Sequence, residues 1–341
     1  MRKIRVGVVF GGRSGEHEVS VRSAAAIYWA LDKNKYDVEL LGVDKSGGWH
    51  RVEQKWLPSG SEMKSLPSGN KTLVPQGEKL DVVFPIIHGT YGEDGSLQGL
   101  LELMDVAYVG AGVLGSAVGM DKDVQKRLLM QAGIPVAKFQ VIKRLKEIKR
   151  LSFKLPVFVK PVNMGSSVGV SKAISRRSLA DSLREAFKYD TKVIIEEEIK
   201  GRELEVSVLG SDNPIASVPG EVITKNHEFY DYEAKYIDEN GAELIIPAKL
   251  QMPKVAEVQR LAVKTFKVLE CSGMARVDMF MRPNGQLVIN EINTLPGFTS
   301  ISMYPKLWEA SGLSYPKLLD KLVELAIERK KQKDKLKRSY S

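Results

Sequence analysis

The feature that most constrains the fold is a pair of strand-like segments, residues 276–281 and 286–293, on either side of Asn284-Gly285. Asn-Gly is the strongest short hairpin signal, because both central residues of the turn accept positive φ angles. The pattern therefore predicts an antiparallel hairpin late in the chain, joined by a two-residue turn. A longer turn would shift the partners by two and leave the same side chains on the same face.

This hairpin would place four polar side chains on one face, with Asp278 opposite Glu291 and Arg276 opposite Asn293. Like charges are destabilising when residues oppose each other directly at about 5 Å, so the two carboxylates require a compensating cation. Oxygen ligands without a nearby Cys or His suit Mg²⁺ rather than zinc. The hairpin therefore predicts a divalent metal site. The alternative is an exposed hairpin whose charges are solvated.

A lysine ends a buried-looking strand at residues 157–160, and a Gly/Ser-rich loop follows at residues 163–170. The ammonium of Lys160 and the free backbone N–H groups of such a loop can bind phosphates. The spacing does not match Gly-x4-Gly-Lys-Ser/Thr, so the loop is not a P-loop. Considered alone, it is better explained as a generic loop without a ligand.

Acidic residues cluster where two further strand-like segments meet at Lys200-Gly201. Carboxylates do not attract phosphates, but they accept hydrogen bonds from an adenine amino group or from ribose hydroxyls. The cluster therefore favours the base and sugar of a nucleotide. Glu197 and Glu205 are left without a role, because charges on a solvated edge strand explain them as well.

The first part of the chain alternates between strand and helix signals, which predicts an α/β fold with a parallel sheet. Its apolar runs are residues 4–10, 38–43, 82–87 and 106–109. Residues 21–31 show helical spacing between the first two runs. The later parts mix hairpins and helices in the α+β manner.

We expect three domains, which are residues 1–120, 121–210 and 211–341. A helix capped by Asp123 and running to Ala132 should open the second domain, with Gly133 and Pro135 as stop signals. The third should contain a long helix near residues 253–271 and a polar loop at 225–242. That polar loop is the candidate lid over an active site.

Two residues at strand ends of the first domain are candidate ligand contacts. Glu16 follows the first strand in a turn that lacks Gly-x-Gly-x-x-Gly, and an acid there would repel a pyrophosphate but attract an ammonium group. His88 lies at the C-terminal end of another strand, where open α/β sheets bind ligands. A hydrogen-bonded structural histidine is an equal alternative for His88.

Composition limits the remaining classes of function. Of the net charge of +9, a tail at residues 329–341 carries +6, from seven basic residues and one acidic residue. The basic tail is read as a solvated helix end, so no nucleic-acid partner is expected. No apolar run reaches the roughly 20 residues of a membrane span, and the start does not resemble a secretory signal. Cys271 is the only cysteine; we interpret it as core packing, and a reducing cytoplasm as the location.

Taken in order, the motifs resemble the D-alanine–D-alanine ligases of the ATP-grasp superfamily, from Gly11 to about Ser302. The segments that carry the resemblance are Gly-Gly-x-Ser-x-Glu-x-Glu-Val-Ser from Gly11, His88-Gly89, Met120-Asp121-Lys122, Lys160-Pro161, Gly165-Ser166-Ser167-Val168-Gly169, Tyr230 to Tyr236, Arg276-Val277-Asp278 and Glu291 to Gly297. Together they imply an ATP-grasp fold behind an N-terminal parallel-sheet (preATP-grasp) domain.

The resemblance also implies a role for each site residue. Lys122, Lys160 and Lys235 would bind the ATP phosphates, and Glu196, Glu198, Ile199 and Glu203 the adenine and ribose. Asp278, Glu291 and Asn293 would bind two Mg²⁺ ions, with Mn²⁺ able to substitute. Glu16, beside His88, would bind the ammonium of the first D-alanine, and Ser166 and Tyr236 would link to Glu16 and close the lid. Arg276 would polarise the carboxylate of the first substrate, the Gly297 N–H would stabilise the tetrahedral intermediate, and Ser302 would bind the second carboxylate.

The implied activity is the ATP-dependent ligation of two D-alanines through a D-alanyl phosphate, with release of ADP and phosphate, for peptidoglycan precursors. A cytoplasmic homodimer is the family expectation. The alternatives are a relative that accepts D-lactate, against which Tyr236 argues, a relative that accepts D-serine, and a non-catalytic nucleotide- or RNA-binding protein. Met303, where leucine is frequent in the family, leaves the second-site selectivity open.

Overall fold

The computed structural model describes residues 2–59, 64–66, 79–147, 151–224 and 241–337. Within these ranges the chain forms fifteen strands in three sheets and eight α-helices. Most of the predicted lid loop, including Lys235 and Tyr236, lies outside the described residues. Among the helices described, none is both long enough and apolar enough to cross a membrane.

The first sheet has the order β3-β2-β1-β4-β5, and its four strands other than β3 are parallel. The strands are β1 (Ile4–Gly11), β2 (Tyr36–Val43), β3 (Trp49–Arg51), β4 (Val82–Pro85) and β5 (Ala107–Tyr108). Helices α1 (His17–Ala30), α2 (Ser96–Leu103) and α3 (Val113–Met120) connect and follow them. The predicted parallel sheet is therefore confirmed. The parallel strands β1 and β4 end at Gly11 and Pro85, on the same edge of the sheet. Glu16 and His88 follow these strand ends and therefore lie at that edge.

The second sheet is antiparallel and has the order β6-β9-β7-β8. Its strands are β6 (Phe139–Ile142), β7 (Val157–Pro161), β8 (Ser171–Ala173) and β9 (Val193–Glu197), and α5 (Arg176–Ala186) packs on it. Helix α4 (Lys122–Gln131) precedes this sheet. The predicted cap at Asp123 is wrong: the side chain of Asp121 accepts hydrogen bonds from the Asp123 and Val124 N–H groups and begins the helix.

The third sheet has six strands, with the path β13-β12-β10-β14-β15 and β11 paired to β10. The strands are β10 (Arg202–Gly210), β11 (Ile215–Ala216), β12 (Gly220–Thr224), β13 (Ala242–Ile245), β14 (Gly273–Met281) and β15 (Leu287–Asn293). The long helix predicted at residues 253–271 is α6 (Met252–Val268). Cys271 follows this helix in the core, and burial raises the pKa of its thiol to about 12, which fits packing rather than nucleophilic chemistry.

The β14–β15 hairpin has the predicted pairs but not the predicted turn. Arg282 N donates to the Gln286 carbonyl, so three residues form the loop, with Gly285 at φ +83°. This loop shifts the register by one, and a β-bulge at Asn290 shifts it back. Asp278 therefore opposes Glu291, and Arg276 opposes Asn293, as the sequence predicted.

The last two helices return to the first sheet. Helices α7 (Met303–Ala310) and α8 (Tyr315–Asp334) contribute to the hydrophobic core that contains β1 and β4. The chain passes from the second sheet to the third between β9 and β10. The boundaries proposed at residues 120 and 210 stay predictions about folding units.

We expect Leu322→Ala to lower the free energy of unfolding by about 2–5 kcal/mol, because it leaves a cavity under α8. Leu322 is 1% exposed in the core of the first sheet. Chemical denaturation would measure the change. Leu336→Ala, at a side chain that is 67% exposed two residues beyond the end of this helix, is the control. Equal stability of the two variants would contradict the docking of α8.

Candidate active site

Two cavities adjoin where the three sheets meet. The larger, about 1140 Å³ including its open mouth, lies between the second and third sheets. The smaller, about 720 Å³, lies between the third sheet and the strand ends of the first sheet. Gly165, Ser166, Glu205 and Glu291 line both cavities. A ligand in one cavity can therefore meet a ligand in the other at these four residues.

The larger cavity combines apolar walls with charged groups. Phe158 from β7 and Phe280 from β14 line it, and neither was predicted. Their rings could enclose an aromatic base, while Lys160 and Lys122 offer ammonium groups to phosphates. Lys122 Nζ donates to the Met164 carbonyl at 2.7 Å and lies 3.6 Å from a Glu291 carboxylate oxygen. The cavity therefore suits a nucleotide with bound phosphates.

The glycine- and serine-rich loop reaches from this cavity into the smaller one. Ser166 and Ser167 have φ angles of +47° and +60°, a conformation that side chains other than Gly, Asn and Asp seldom adopt. Ser166 Oγ donates a short hydrogen bond to the buried carboxylate of Glu16. This bond joins the first domain to the glycine- and serine-rich loop.

Arg276 is held between two carboxylates in the wall of the smaller cavity. Its guanidinium makes a bidentate pair with Asp278, with both N–O distances 2.7 Å, and its Nε lies 2.9 Å from Glu205 Oε2. Asn293 Nδ2 donates to the same Asp278 at 2.9 Å. Bidentate pairing fixes the plane of the guanidinium. Glu205, left unassigned from the sequence, therefore helps to orient Arg276.

His88 is buried in the same wall and is hydrogen-bonded at both ring nitrogens. Nδ1 lies 3.1 Å from the Leu295 carbonyl and can only donate to it, so Nε2 accepts from Ser23 Oγ, also at 3.1 Å. Burial lowers the pKa of His88 to about 4. The ring is therefore neutral near pH 7. The geometry favours the structural interpretation, while the predicted contact with substrate stays a prediction.

The start of α7 forms the far end of the smaller cavity. Ser302 precedes the helix, and its hydroxyl accepts from Thr299 N at 3.0 Å. A side chain at Gly297 would place its Cβ 2.7 Å from Ser302 Oγ, so only glycine leaves that space open. Helix N-termini favour anions, so this end suits a carboxylate.

Glu93 is a further cavity residue that the sequence analysis missed. It accepts a hydrogen bond from Gly89 N at 2.7 Å and lines the smaller cavity with Glu16 and His88. Burial and then the nearby charge of Glu16 raise the pKa of Glu93 to about 8. The signal in the sequence was an acid within the turn-forming run Gly92-Glu93-Asp94-Gly95, five residues after His88.

The raised pKa of Glu93 predicts a pH dependence of stability. Between about pH 4.5 and 8 the folded protein keeps a proton that the unfolded chain has lost, so this group lowers the free energy of unfolding as the pH rises. Glu93→Gln removes the effect. We expect the free energy of unfolding of this variant, relative to that of wild type, to rise with pH across that window by up to about 1.4 kcal/mol per pH unit.

Urea denaturation of the metal-free protein at several pH values would measure this difference. Glu324→Gln, at a largely exposed carboxylate on α8, is the control and should show a difference that does not change with pH. A pH-independent difference for Glu93→Gln would contradict the assigned pKa.

The hairpin residues fit a hard divalent cation by their donor chemistry. Asp278 and Glu291 are opposed carboxylates, and Asn293 adds an amide on the same face. In the described ranges, no three His, Cys, Asp or Glu side chains are grouped closely enough to hold a metal by themselves. Mg²⁺ prefers few protein carboxylates, completed by water and phosphate oxygens, so this donor set suits it.

All fifteen predicted site residues that the structure describes line one of the two cavities. The larger cavity contains Lys122, Lys160, Ser166, Glu196, Glu198, Ile199, Glu203, Asp278 and Glu291. The smaller contains Glu16, His88, Ser166, Arg276, Glu291, Asn293, Gly297 and Ser302. Their individual roles stay predictions.

The architecture defines a class of protein. Two sheets that enclose a cleft lined by lysines and acids, next to a parallel-sheet domain, form the ATP-grasp fold. The structure of the D-alanine-D-alanine ligase from Coxiella burnetii is similar, with a TM-score of 0.84 and 38% identity over 98% of this chain and 97% of that one. The VanG D-Ala:D-Ser ligase from Enterococcus faecalis has a TM-score of 0.82 and 36% identity, over 95% and 100% of the two chains.

Sequence comparisons identify the family. Models of the D-ala D-ala ligase N-terminus and C-terminus match residues 5–111 and 128–324. A D-alanine--D-alanine ligase from Oceanobacillus iheyensis is 50% identical over 99% of both chains. The D-alanine--D-alanine ligase A of Escherichia coli K12 is 48% identical over 96% of this chain and 97% of the relative. This chain belongs to the D-alanine–D-alanine ligase family.

Proposed function

We propose that this protein joins two D-alanines into D-alanyl-D-alanine at the expense of ATP, for peptidoglycan precursor synthesis. The observation that carries the proposal is the shared wall of the two cavities, at Gly165, Ser166, Glu205 and Glu291. A nucleotide in the larger cavity would present its terminal phosphate there. A substrate carboxylate in the smaller cavity would reach it from the other side.

The reaction requires two steps, because a carboxylate is a poor electrophile. In the first, a carboxylate oxygen of D-alanine attacks the γ-phosphorus of ATP, which gives D-alanyl phosphate and ADP. In the second, the amine of another D-alanine attacks the acyl carbon, phosphate leaves, and the amine loses a proton. Both steps develop negative charge on oxygen, which positive groups and N–H donors stabilise.

The residues of the smaller cavity suit these steps. Glu16, held by Ser166, would bind the ammonium of the first D-alanine and so fix its carboxylate near Arg276. The Gly297 N–H would stabilise the tetrahedral intermediate. The N-terminus of α7 at Ser302 would bind the carboxylate of the second D-alanine.

The residues of the larger cavity would hold the nucleotide. Lys122 and Lys160 would contact its phosphates. The base and ribose would contact Glu196, Glu198, Ile199 and Glu203. Asp278, Glu291 and Asn293 would hold two Mg²⁺ ions, for which Mn²⁺ could substitute. The metal ions would neutralise charge on the phosphates.

Lys235 and Tyr236 complete the proposal from the loop at 225–242. Lys235 would reach the transferring phosphate, and Tyr236 would close against Ser166 and Glu16. Acyl phosphates hydrolyse readily, so the reaction requires a closed site that excludes water.

A coupled ADP-release assay with D-alanine tests the function, with mass spectrometry to identify the dipeptide. We expect Mg²⁺-dependent ADP release that requires D-alanine and yields D-alanyl-D-alanine. ATP turnover without a dipeptide product would contradict the proposal. RNA affinity that disappears when residues 329–341 are removed, with no turnover, would instead support the RNA-binding alternative.

D-Serine as the second substrate is a further candidate, because the similar VanG protein is a D-Ala:D-Ser ligase. Met303 lines the end of the cavity where the second substrate would bind. Competition between D-alanine and D-serine or D-lactate in the same assay would separate these functions. We expect D-alanine to be preferred.

We also propose a cytoplasmic homodimer. Leu103 on α2 and Leu114 on α3 are 89% and 60% exposed, and the two helices contact each other. Exposed apolar side chains on adjacent helices are typical of an interface. Light scattering on the purified protein would measure its mass, and a monomer across micromolar concentrations would contradict the dimer. The cytoplasm is proposed because the reaction consumes ATP.

A further inference from the structure

A fully buried lysine lies beneath the larger cavity and has no part in the proposed mechanism so far. Lys126, on α4, is 0% exposed. Its Nζ lies 3.2 Å from Glu196 Oε1 and donates to the backbone carbonyl of Asn290 at 3.2 Å. Lysine is seldom fully buried unless its charge is paired, so this position requires a physical reason.

The same two partners also bind Lys160. Lys160 Nζ lies 2.9 Å from the other carboxylate oxygen of Glu196 and 3.4 Å from the Asn290 side-chain oxygen. Lys126, Glu196, Lys160 and Asn290 thus form a closed ring of contacts. Lys160, Glu196 and Asn290 line the cavity, whereas Lys126 lies behind them.

The ring joins three parts of the fold. Lys126 comes from α4, Lys160 and Glu196 from neighbouring strands of the second sheet, and Asn290 from the bulge of the hairpin. The bulge frees the Asn290 carbonyl from the regular ladder, so it is available to accept from Lys126. Lys126 is therefore placed to hold Glu196 relative to both walls of the cleft.

The two lysines share the work of stabilising one buried charge. Burial raises the pKa of Glu196, but the charges of Lys126 and then Lys160 outweigh it and lower the pKa. In the proposed function Lys160 also contacts phosphates, which compete with Glu196 for its ammonium. Lys126 has no access to the cavity and keeps its contact with Glu196 when a nucleotide is bound.

We propose that Lys126 is a positioning residue for base selection: its buried ammonium holds the Glu196 carboxylate charged and oriented toward the base. A charged carboxylate accepts a hydrogen bond from the exocyclic amine of adenine. It opposes the oxygen that hypoxanthine and guanine carry at the same ring position. The inference rests on the proposed role of the cleft as an ATP site with Glu196 at the base.

The test compares binding of ATP and inosine triphosphate, which differ at this amine. Calorimetry with Mg²⁺ and without D-alanine measures each Kd in the absence of turnover. We expect wild type to prefer ATP. Lys126→Met should weaken ATP binding by about 10- to 100-fold and change the binding of inosine triphosphate little, because a charge-assisted hydrogen bond is lost only with adenine.

Arg127→Met is the matched control, since Arg127 is the next residue on α4 and its side chain is 61% exposed. It should retain the wild-type preference. Lys126→Gln can still donate to the Asn290 carbonyl but carries no charge. It gives the same test if Lys126→Met does not fold, and we expect the same loss of preference.

A double-mutant cycle tests whether Lys126 acts through Glu196. Glu196→Gln alone should reduce the preference for ATP, and adding Lys126→Met should reduce it little further. If the Lys126 variants weaken the binding of both nucleotides equally, Lys126 has only a structural role. The inference then fails, while the proposed function stands. If wild type binds neither nucleotide, the proposed function fails too. Equal binding of both nucleotides by wild type would overturn Glu196 as the base contact, and the inference with it.

Discussion

Glu291→Gln is expected to lower kcat by about 100- to 1000-fold, the range seen when one charge-stabilising group is removed from a reaction centre. Glu291 lies in the wall shared by both cavities, opposite Asp278 on the hairpin. The amide keeps the size of the side chain and removes the charge that the metal site requires. We therefore expect the Mg²⁺ concentration for half-maximal activity to rise as well.

Initial rates across a Mg²⁺ titration, at saturating ATP and D-alanine, measure both effects. Glu257→Gln, which removes a half-exposed carboxylate on α6, should behave as wild type. Thermal unfolding would check that Glu291→Gln is folded. Wild-type activity of this variant at limiting Mg²⁺ would refute the assignment of the hairpin as the metal site.

Glu16→Gln should instead weaken the binding of the amino-acid substrate. Glu16 is buried, so an ammonium bound beside it would lose its counter-charge, and breaking a buried ion pair costs about 3–5 kcal/mol. We expect kcat/KM for D-alanine to fall by roughly 100- to 5000-fold. The Kd of ATP should change little, because Glu16 lines only the smaller cavity.

Steady-state kinetics with varied D-alanine, together with ATP binding measured separately, distinguish this effect from general damage. Glu18→Gln is a suitable control, because Glu18 lies two residues away and pairs with Lys45 outside both cavities. A matching loss of ATP affinity in Glu16→Gln would show that Glu16 supports the whole site rather than the first D-alanine.

The two variants separate the two halves of the proposed reaction. The Glu291 variant would impair metal binding and phosphate transfer, whereas the Glu16 variant would impair binding of the substrate's ammonium group. Ser166 links these halves, because it donates to Glu16 and also lines the larger cavity. The hydrogen bond between them is therefore the structural link between nucleotide and amino acid.

Local patterns predicted the strands and much of the site. The runs at residues 4–10 and 38–43 are parallel strands, as their separation by a helix required. Asp278 and Glu291 oppose each other as the Asn-Gly hairpin implied. These predictions depend on periodicity and on residues close in sequence, which is the information that a single chain carries most directly.

Errors occurred where a local signal had a competing neighbour. Helix α4 is capped by Asp121 rather than Asp123, because both aspartates are good caps and only backbone geometry selects one. The three-residue turn and the bulge at Asn290 compensate each other, so the predicted pairs were correct although the predicted turn was wrong. Nothing in the strand pattern marked that bulge.

The sequence by itself determined the order of strands and helices, the acidic hairpin and the set of residues that resemble a ligase. Only the tertiary structure decided that Lys126 lies under Glu196, that Glu205 holds Arg276 and that Glu93 lies beside Glu16. The physical reason is that periodicity specifies which face a side chain occupies within its own element. Which charged groups become neighbours, and how far burial shifts their pKa values, depends on how separate elements pack against one another.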